Sequence, residues 1–222
     1  MNKKNILFVC YPIKNKENFN NSNNSFNFIH KVIYINLEDR VDRKESITKQ
    51  LKYLPDEKVI RFNAIKESPG YIGCSKSHIG ALEMAIQNNW DNVLIVEDDM
   101  VWKNFDKGYD LLQKLVKKPY DVILLGAPNP EHNKDTLKLL NGQTCTAYLV
   151  NKHYYQTLLN NFKEGLNNLI TTNTYDKYAI DQYWKKLQNI DNWYVIEPPL
   201  CIQKEDYSNI HNMIVNYENQ FN

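Results

Sequence analysis

Val93-Leu94-Ile95-Val96-Glu97-Asp98-Asp99 is the stretch on which the fold turns. Four consecutive apolar residues, three of them β-branched, fit a strand buried on both faces. Three carboxylates follow without a break. Burying even one uncompensated carboxylate is costly, so three at the end of a core strand call for a reason. A site that holds a divalent cation supplies one. A solvated acidic turn capping the next helix is the plainer alternative.

The pattern extends outward on both sides. Residues 75–90 read as a helix with Ile79, Leu82 and Ile86 on one face, and residues 105–116 as another with Phe105, Tyr109, Leu112 and Val116 aligned. Further strands are expected at residues 31–36, 59–62, 122–125, 145–150 and 193–196. Further helices are expected at residues 42–54, 152–161 and 178–187, the first of them stopped by Pro55. Residues 6–10 fit a first or edge strand, and the Asn-rich residues 15–27 a loop or linker. Strands alternating with helices predict an α/β fold with a mainly parallel central sheet flanked by helices. The expected organisation is an N-terminal strand and loop over residues 1–29, then a single domain over 30–222. Neither a Gly-rich phosphate loop nor an internal repeat is found.

Composition narrows the function. Lys+Arg of 27 against Asp+Glu of 26 leaves a formal charge of +1, which gives no global basic field for nucleic acid. Cys10, Cys74, Cys145 and Cys201 are far apart and form no CxxC pair, so free thiols in a reducing compartment are expected. The apolar run after Lys3 and Lys4 is too short for a signal peptide and ends at Tyr11-Pro12. No run approaches the ~18 apolar residues of a membrane span. A cytoplasmic protein is therefore expected, in a bacterium or a virus-infected host cell.

In open α/β sheets, ligands bind at the carboxyl ends of strands, where Glu97, Asp98 and Asp99 are expected. Carboxylate oxygens suit Mg²⁺ or Mn²⁺, which can in turn chelate a diphosphate. Asn36-Leu37-Glu38-Asp39-Arg40-Val41-Asp42-Arg43 follows a strand and opens a helix, so Arg40 and Arg43 stand where an anion would be drawn. The alternative is local pairing of the two arginines with Glu38, Asp39 or Asp42. Gly73-Cys74-Ser75-Lys76-Ser77-His78 reads as a turn entering a helix, with Ser75 or Ser77 as a cap and His78 either packed or facing phosphate or metal.

Taken in order, these segments resemble glycosyltransferase family 25, the group of bacterial lipooligosaccharide galactosyltransferases and collagen hydroxylysine galactosyltransferases. The matching residues are Val32-Ile33-Tyr34-Ile35-Asn36-Leu37 with Arg40 and Arg43, Gly73-Cys74 with Ser77-His78, and Glu97-Asp98-Asp99. Thr146-Ala147-Tyr148-Leu149-Val150, Asp181, Pro198-Pro199, Gln203 and Ser208-Asn209-Ile210 follow. The resemblance covers roughly residues 30–212. It implies a GT-A-type nucleotide-diphospho-sugar transferase fold, a UDP-galactose or UDP-glucose donor, Mn²⁺ or Mg²⁺, and inverting transfer to a glycan or hydroxylysine-type hydroxyl. On this resemblance Asp99 is the metal ligand, with His211 a further one. Asn36, Arg40, Arg43, Gly73, Ser77, His78, Glu97 and Asp98 surround the nucleotide sugar. Asp181 is the general base that a single displacement requires.

The chain carries Thr144, Cys145 and Thr146 where the family has glycines, which leaves the acceptor open. Residues 128–134 and 164–176 read as loops shaping that side. Two rivals stand beside the transferase: a metal-dependent phosphohydrolase using the same carboxylates, and a non-catalytic glycan-binding or assembly protein on a transferase fold.

Overall fold

Apolar residues on both faces of the central strands require cover on both sides, and the chain supplies it with two helical layers. The computed structural model describes residues 26–208 and 213–215, with backbone alone from 206 onward. The expected strand at residues 6–10, Cys10 and His211 lie outside the described residues.

Elements run β1 (Lys31–Asn36), α1 (Val41–Leu51), β2 (Val59–Asn63), α2 (Gly70–Gln87), β3 (Asn92–Glu97), β4 (Met100–Trp102), α3 (Phe105–Leu115) and β5 (Val122–Leu124). Then come β6 (Glu131–His132), β7 (Leu139–Asn141), β8 (Ala147–Asn151), α4 (Tyr155–Thr172), α5 (Tyr175–Tyr178), α6 (Ile180–Tyr183) and α7 (Lys185–Gln188). β9 (Trp193–Val195), β10 (Cys201–Gln203), β11 (Asp206–Ser208) and β12 (Met213–Val215) close the series.

The main sheet has six strands in the order β2-β1-β3-β8-β5-β9. β1 pairs parallel with β2 and β3, and β5 with β9, whereas β8 runs antiparallel between β3 and β5. The expected mainly parallel sheet is therefore present, with β8 reversed. Side chains alternate between two cores. Ile33, Ile95, Leu124 and Tyr148 face the side covered by α2 and α4, while Val32, Leu94, Ile123 and Leu149 face the side covered by α1 and α3. Among the described residues, no helix is long and apolar enough to cross a membrane.

Four sequence expectations are corrected. The helix expected to begin at residue 75 begins at Gly70, immediately after Pro69. The helix expected to stop at residue 161 continues to Thr172, so most of the expected acceptor loop at 164–176 is helical. Gly165, a weak helix former within it, stands where a Cβ would lie 2.9 Å from the Tyr183 ring. The single helix expected at 178–187 is three four-residue turns, interrupted by the extended backbone of Ala179 at ψ 150°. Finally, Phe26, expected in a polar loop, is buried and packs edge-on against Tyr109 at 5.0 Å between ring centroids.

Candidate active site

The carboxyl ends of β1 and β3 lie side by side, with Ile35 opposite Glu97 in the parallel register. Asp98 and Asp99 form the turn from β3 into β4. β4 pairs antiparallel with β10, placing Gln203 opposite Met100. A cavity of about 430 Å³ opens over these strand ends.

Arg43 binds both aspartates of the turn. Its Nη1 donates to Asp98 Oδ1 at 2.8 Å and to Asp99 Oδ2 at 3.1 Å. Asp98 Oδ2 also accepts from Asn36 Nδ2 at 2.7 Å, and Asn36 Oδ1 from Arg61 Nε at 3.1 Å. Asp99 Oδ2 accepts from Gln203 Nε2 at 3.0 Å, and the Asp99 carbonyl from the Lys204 backbone N–H at 2.8 Å. Asp99 Oδ1 is buried with no hydrogen-bond partner. Burial, then the charge of Glu97, pushes the Asp99 carboxyl up to about 7 despite Arg43. Burial likewise raises Asp98. Asp98 and Asp99 thus share one bridging guanidinium, with the Glu97 carboxylate beside them at the same cavity.

Arg40 behaves differently from Arg43. It forms a bidentate pair with Asp42, Nε to Oδ1 at 3.0 Å and Nη2 to Oδ2 at 2.8 Å, which holds the Asp42 carboxyl down at about 2. Local pairing therefore describes Arg40, although it too lines the cavity. Lys66 and Gly70, at the start of α2, also line it. The first turn of that 18-residue helix brings partial positive charge to the rim.

The segment 73–78 is inside α2, which corrects its reading as a turn capped by Ser75 or Ser77. Ser75 Oγ donates to the Tyr71 carbonyl and Ser77 Oγ to the Gly73 carbonyl, one turn back. Ser77 Oγ also accepts from the Ile65 backbone N–H at 2.8 Å. A Cβ on Gly73 would stand 2.3 Å from the Ile65 carbonyl oxygen. Gly73 and Ser77 thus fix the loop that walls the cavity, and Gly73 does not itself line it. One residue further along the helix, Cys74 and His78 turn toward Glu97. Cys74 Sγ is 3.9 Å and His78 Nε2 3.5 Å from Glu97 Oε1.

Asp181 sits in α6, half-buried, and does not line the cavity. It is close enough to feel Glu97, Lys185 and His78. Burial, followed by the Glu97 charge, raises its carboxyl to about 6. Of the residues expected from sequence, the structure therefore brings Arg40, Arg43, Ser77, His78, Glu97, Asp98 and Asp99 to one cavity. Asn36 supports Asp98 from beneath.

Residues 66–175 match the model of glycosyltransferase family 25 (LPS biosynthesis protein). The match runs from the cavity loop through α2, the Glu97-Asp98-Asp99 turn and β8 to the end of α4, and it agrees with the resemblance drawn from sequence. It supports a likeness to glycosyltransferases over those residues. No curated protein matches the chain. Among solved structures, the chain is similar to A197 from STIV at 11% identity and a TM-score of 0.43, covering 84% of this chain and 93% of that one. The glycosyltransferase GlyE of Streptococcus pneumoniae TIGR4 is similar at 12% identity and a TM-score of 0.43, with 76% of this chain and 45% of GlyE covered. A 4-diphosphocytidyl-2C-methyl-D-erythritol synthase from Anaerococcus prevotii DSM 20548 is similar at 12% identity and a TM-score of 0.43, over 87% and 76% of the two chains.

The sequence assigned no role to Cys74, Tyr148, Arg61 or Gln203, of which Cys74, Tyr148 and Gln203 entered only as parts of segments resembling the family. The i, i+4 spacing of Cys74 and His78 was the available signal for the first of these.

Proposed function

We propose that the chain transfers galactose or glucose from a UDP-sugar, with inversion, to a hydroxyl of a glycan or hydroxylysine-type acceptor, assisted by Mn²⁺ or Mg²⁺. The observation that carries this reading is Asp99 Oδ1, a buried carboxylate oxygen without a hydrogen-bond partner, in a cavity that Glu97 and Asp98 also line. A hard oxygen donor of this kind fits a divalent cation that binds diphosphate. Asp99 would hold the ion, which would then stabilise charge on the departing UDP.

The chain's own residues have separable tasks. Arg43, Asn36 and Gln203 keep the two aspartates in place. Arg40, Lys66 and the start of α2 face the phosphates. The acceptor oxygen attacks the anomeric carbon as the bond to UDP breaks, and its proton passes to a general base, the role the family resemblance gives to Asp181, which lies near Glu97 and His78 but outside the cavity lining. One carboxylate base is enough for inversion, in contrast to the nucleophile-and-acid pair of retaining sugar hydrolases.

The test is UDP release from UDP-galactose and UDP-glucose in the presence of Mn²⁺ and acceptor. Asp99→Ala is expected to lower turnover about a hundredfold, the scale of losing several kcal/mol of charge stabilisation. Unchanged turnover would remove Asp99 from the reaction.

Asp181 gives a pH prediction. As a base it works ionised, so turnover should rise with pH through about 6, the value to which its carboxyl is raised. Asp181→Asn should lose that limb together with about a hundredfold in rate. A pH profile of Asp181→Asn superimposable on wild type would assign the base elsewhere.

A further inference from the structure

We propose that Cys74, His78 and Glu97 form a three-ligand site for a borderline-soft divalent cation of the Zn²⁺ or Co²⁺ type, separate from Asp99. Cys74 Sγ, a His78 ring nitrogen and a Glu97 carboxylate oxygen all lie within 4.8 Å of one another. His78 is 1% exposed, and its Nε2 has no hydrogen-bond partner. A buried imidazole nitrogen left bare beside a thiol and a carboxylate is a donor set in want of an acceptor.

The spacing fits a metal. Tetrahedral zinc with ordinary bond lengths separates N from O by about 3.4 Å and S from O by about 3.6 Å. Here His78 Nε2 and Glu97 Oε1 are 3.5 Å apart, and Cys74 Sγ and Glu97 Oε1 3.9 Å. These two separations exceed the tetrahedral values by about 0.1 and 0.3 Å, and the third, from Cys74 Sγ to a His78 ring nitrogen, is within 4.8 Å.

The surroundings orient the ligands. Cys74 and His78 are one helical turn apart on α2, so both project toward the same strand end. His78 Nδ1 is engaged by the Tyr148 hydroxyl at 2.7 Å, and the two rings stack at 5.6 Å between centroids. That contact holds the ring with Nε2 toward Glu97, as an outer hydrogen bond does for metal-bound imidazole. Cys74, His78 and Glu97 all line the cavity, so a fourth position opens toward whatever oxygen donor occupies it. Three protein ligands with one open position is the arrangement of reactive zinc sites, not of closed structural ones. The mixed sulfur, nitrogen and oxygen set favours Zn²⁺ or Co²⁺ over Mg²⁺ or Mn²⁺. Binding releases the Cys74 thiol proton to solvent and leaves the thiolate on the ion.

The test is titration of metal-free protein with Co²⁺, without any sugar donor, so its failure leaves the transferase reading untouched. A near-ultraviolet thiolate-to-cobalt charge-transfer band at one ion per chain is expected in wild type and in Asp99→Asn. Cys74→Ser should abolish the band, and Tyr148→Phe should weaken binding about 10–100-fold. A second measurement guards against misfolded variants: Zn²⁺ should protect Cys74 from alkylation in wild type but not in His78→Asn. Absence of the band in wild type, its persistence in Cys74→Ser, or unprotected Cys74 in wild type overturns the site.

Discussion

Arg43→Ala is expected to lower the unfolding free energy of the metal-free protein by about 3 kcal/mol near pH 8, and by clearly less near pH 5. The Arg43 side chain is 12% exposed and its partners Asp98 and Asp99 are 10% and 7% exposed, so this is a largely desolvated triad. Removing one member of such a group leaves charge buried without compensation, a change that typically costs about 3–5 kcal/mol. The sign of the pH dependence follows from linkage. The Asp99 carboxyl is raised from 3.8 to about 7 with Arg43 still present, and Asp98 is raised as well. A carboxyl raised on folding stabilises fully below its unfolded value, and that contribution is lost as pH climbs through the folded value. Without Arg43 both carboxyls rise further, so the deficit widens between about pH 4 and 8. At the acid end Asp99 folds protonated, so the missing guanidinium leaves less charge uncompensated. Urea denaturation of both proteins at two pH values measures this directly. A deficit that stays the same at both would mean that Arg43 contributes packing and not charge compensation. Arg43→Lys should fall between the two, because an ammonium lacks the planar fork.

How much of this was readable in advance depends on the range over which each contact acts. The β3 strand was legible because Val93–Val96 are all fully buried, and burial on both faces writes a continuous apolar run into the sequence. The Arg40–Asp42 pair was legible as an alternative because its members are two residues apart. Arg43 reaching Asp98 across 55 positions was not, since nothing local distinguishes it from Arg40. The parallel pairing of β1 with β3 brings the start of α1 beside the Glu97-Asp98-Asp99 turn, where Arg43 contacts both aspartates. Gln203 is a similar case. Its contact with Asp99 exists because β10 pairs with β4, an antiparallel pairing between segments a hundred residues apart. The start of α2 was hidden for a different reason. Gly70 and Gly73 are weak helix formers, and the second is kept because the Ile65 carbonyl approaches where a Cβ would stand. The close approach that makes the cavity wall thus also blurs the helix boundary. Asp181 was placed by the family resemblance, and only the structure shows that the extended backbone of Ala179 starts a new helical turn at Ile180.

Trp184→Ala should cost about 3–5 kcal/mol, with a fall in thermal midpoint of about 10 °C or more for a chain of this size. Trp184 is fully buried where the last helices meet the sheet. Its ring stands edge-on to Trp193 at 5.2 Å and to Tyr148 at 5.4 Å, and it also meets Phe162 at 6.2 Å. Its indole N–H has no hydrogen-bond partner, so the loss is one of packing and cavity formation alone. The vacated space adjoins Tyr148, whose hydroxyl engages His78 at the cavity. The same variant should therefore loosen the site: Cys74, one turn from His78 on α2, should react faster with an alkylating reagent under conditions where the protein remains folded. Trp184→Phe keeps an aromatic ring against Tyr148 and should recover most of the stability and most of the protection. The two readouts separate two arrangements. A stability loss with unchanged Cys74 reactivity would mean that Tyr148 is held from the sheet alone. Parallel changes would mean that the aromatic stack from Trp193 through Trp184 to Tyr148 is what keeps His78 aimed at Glu97.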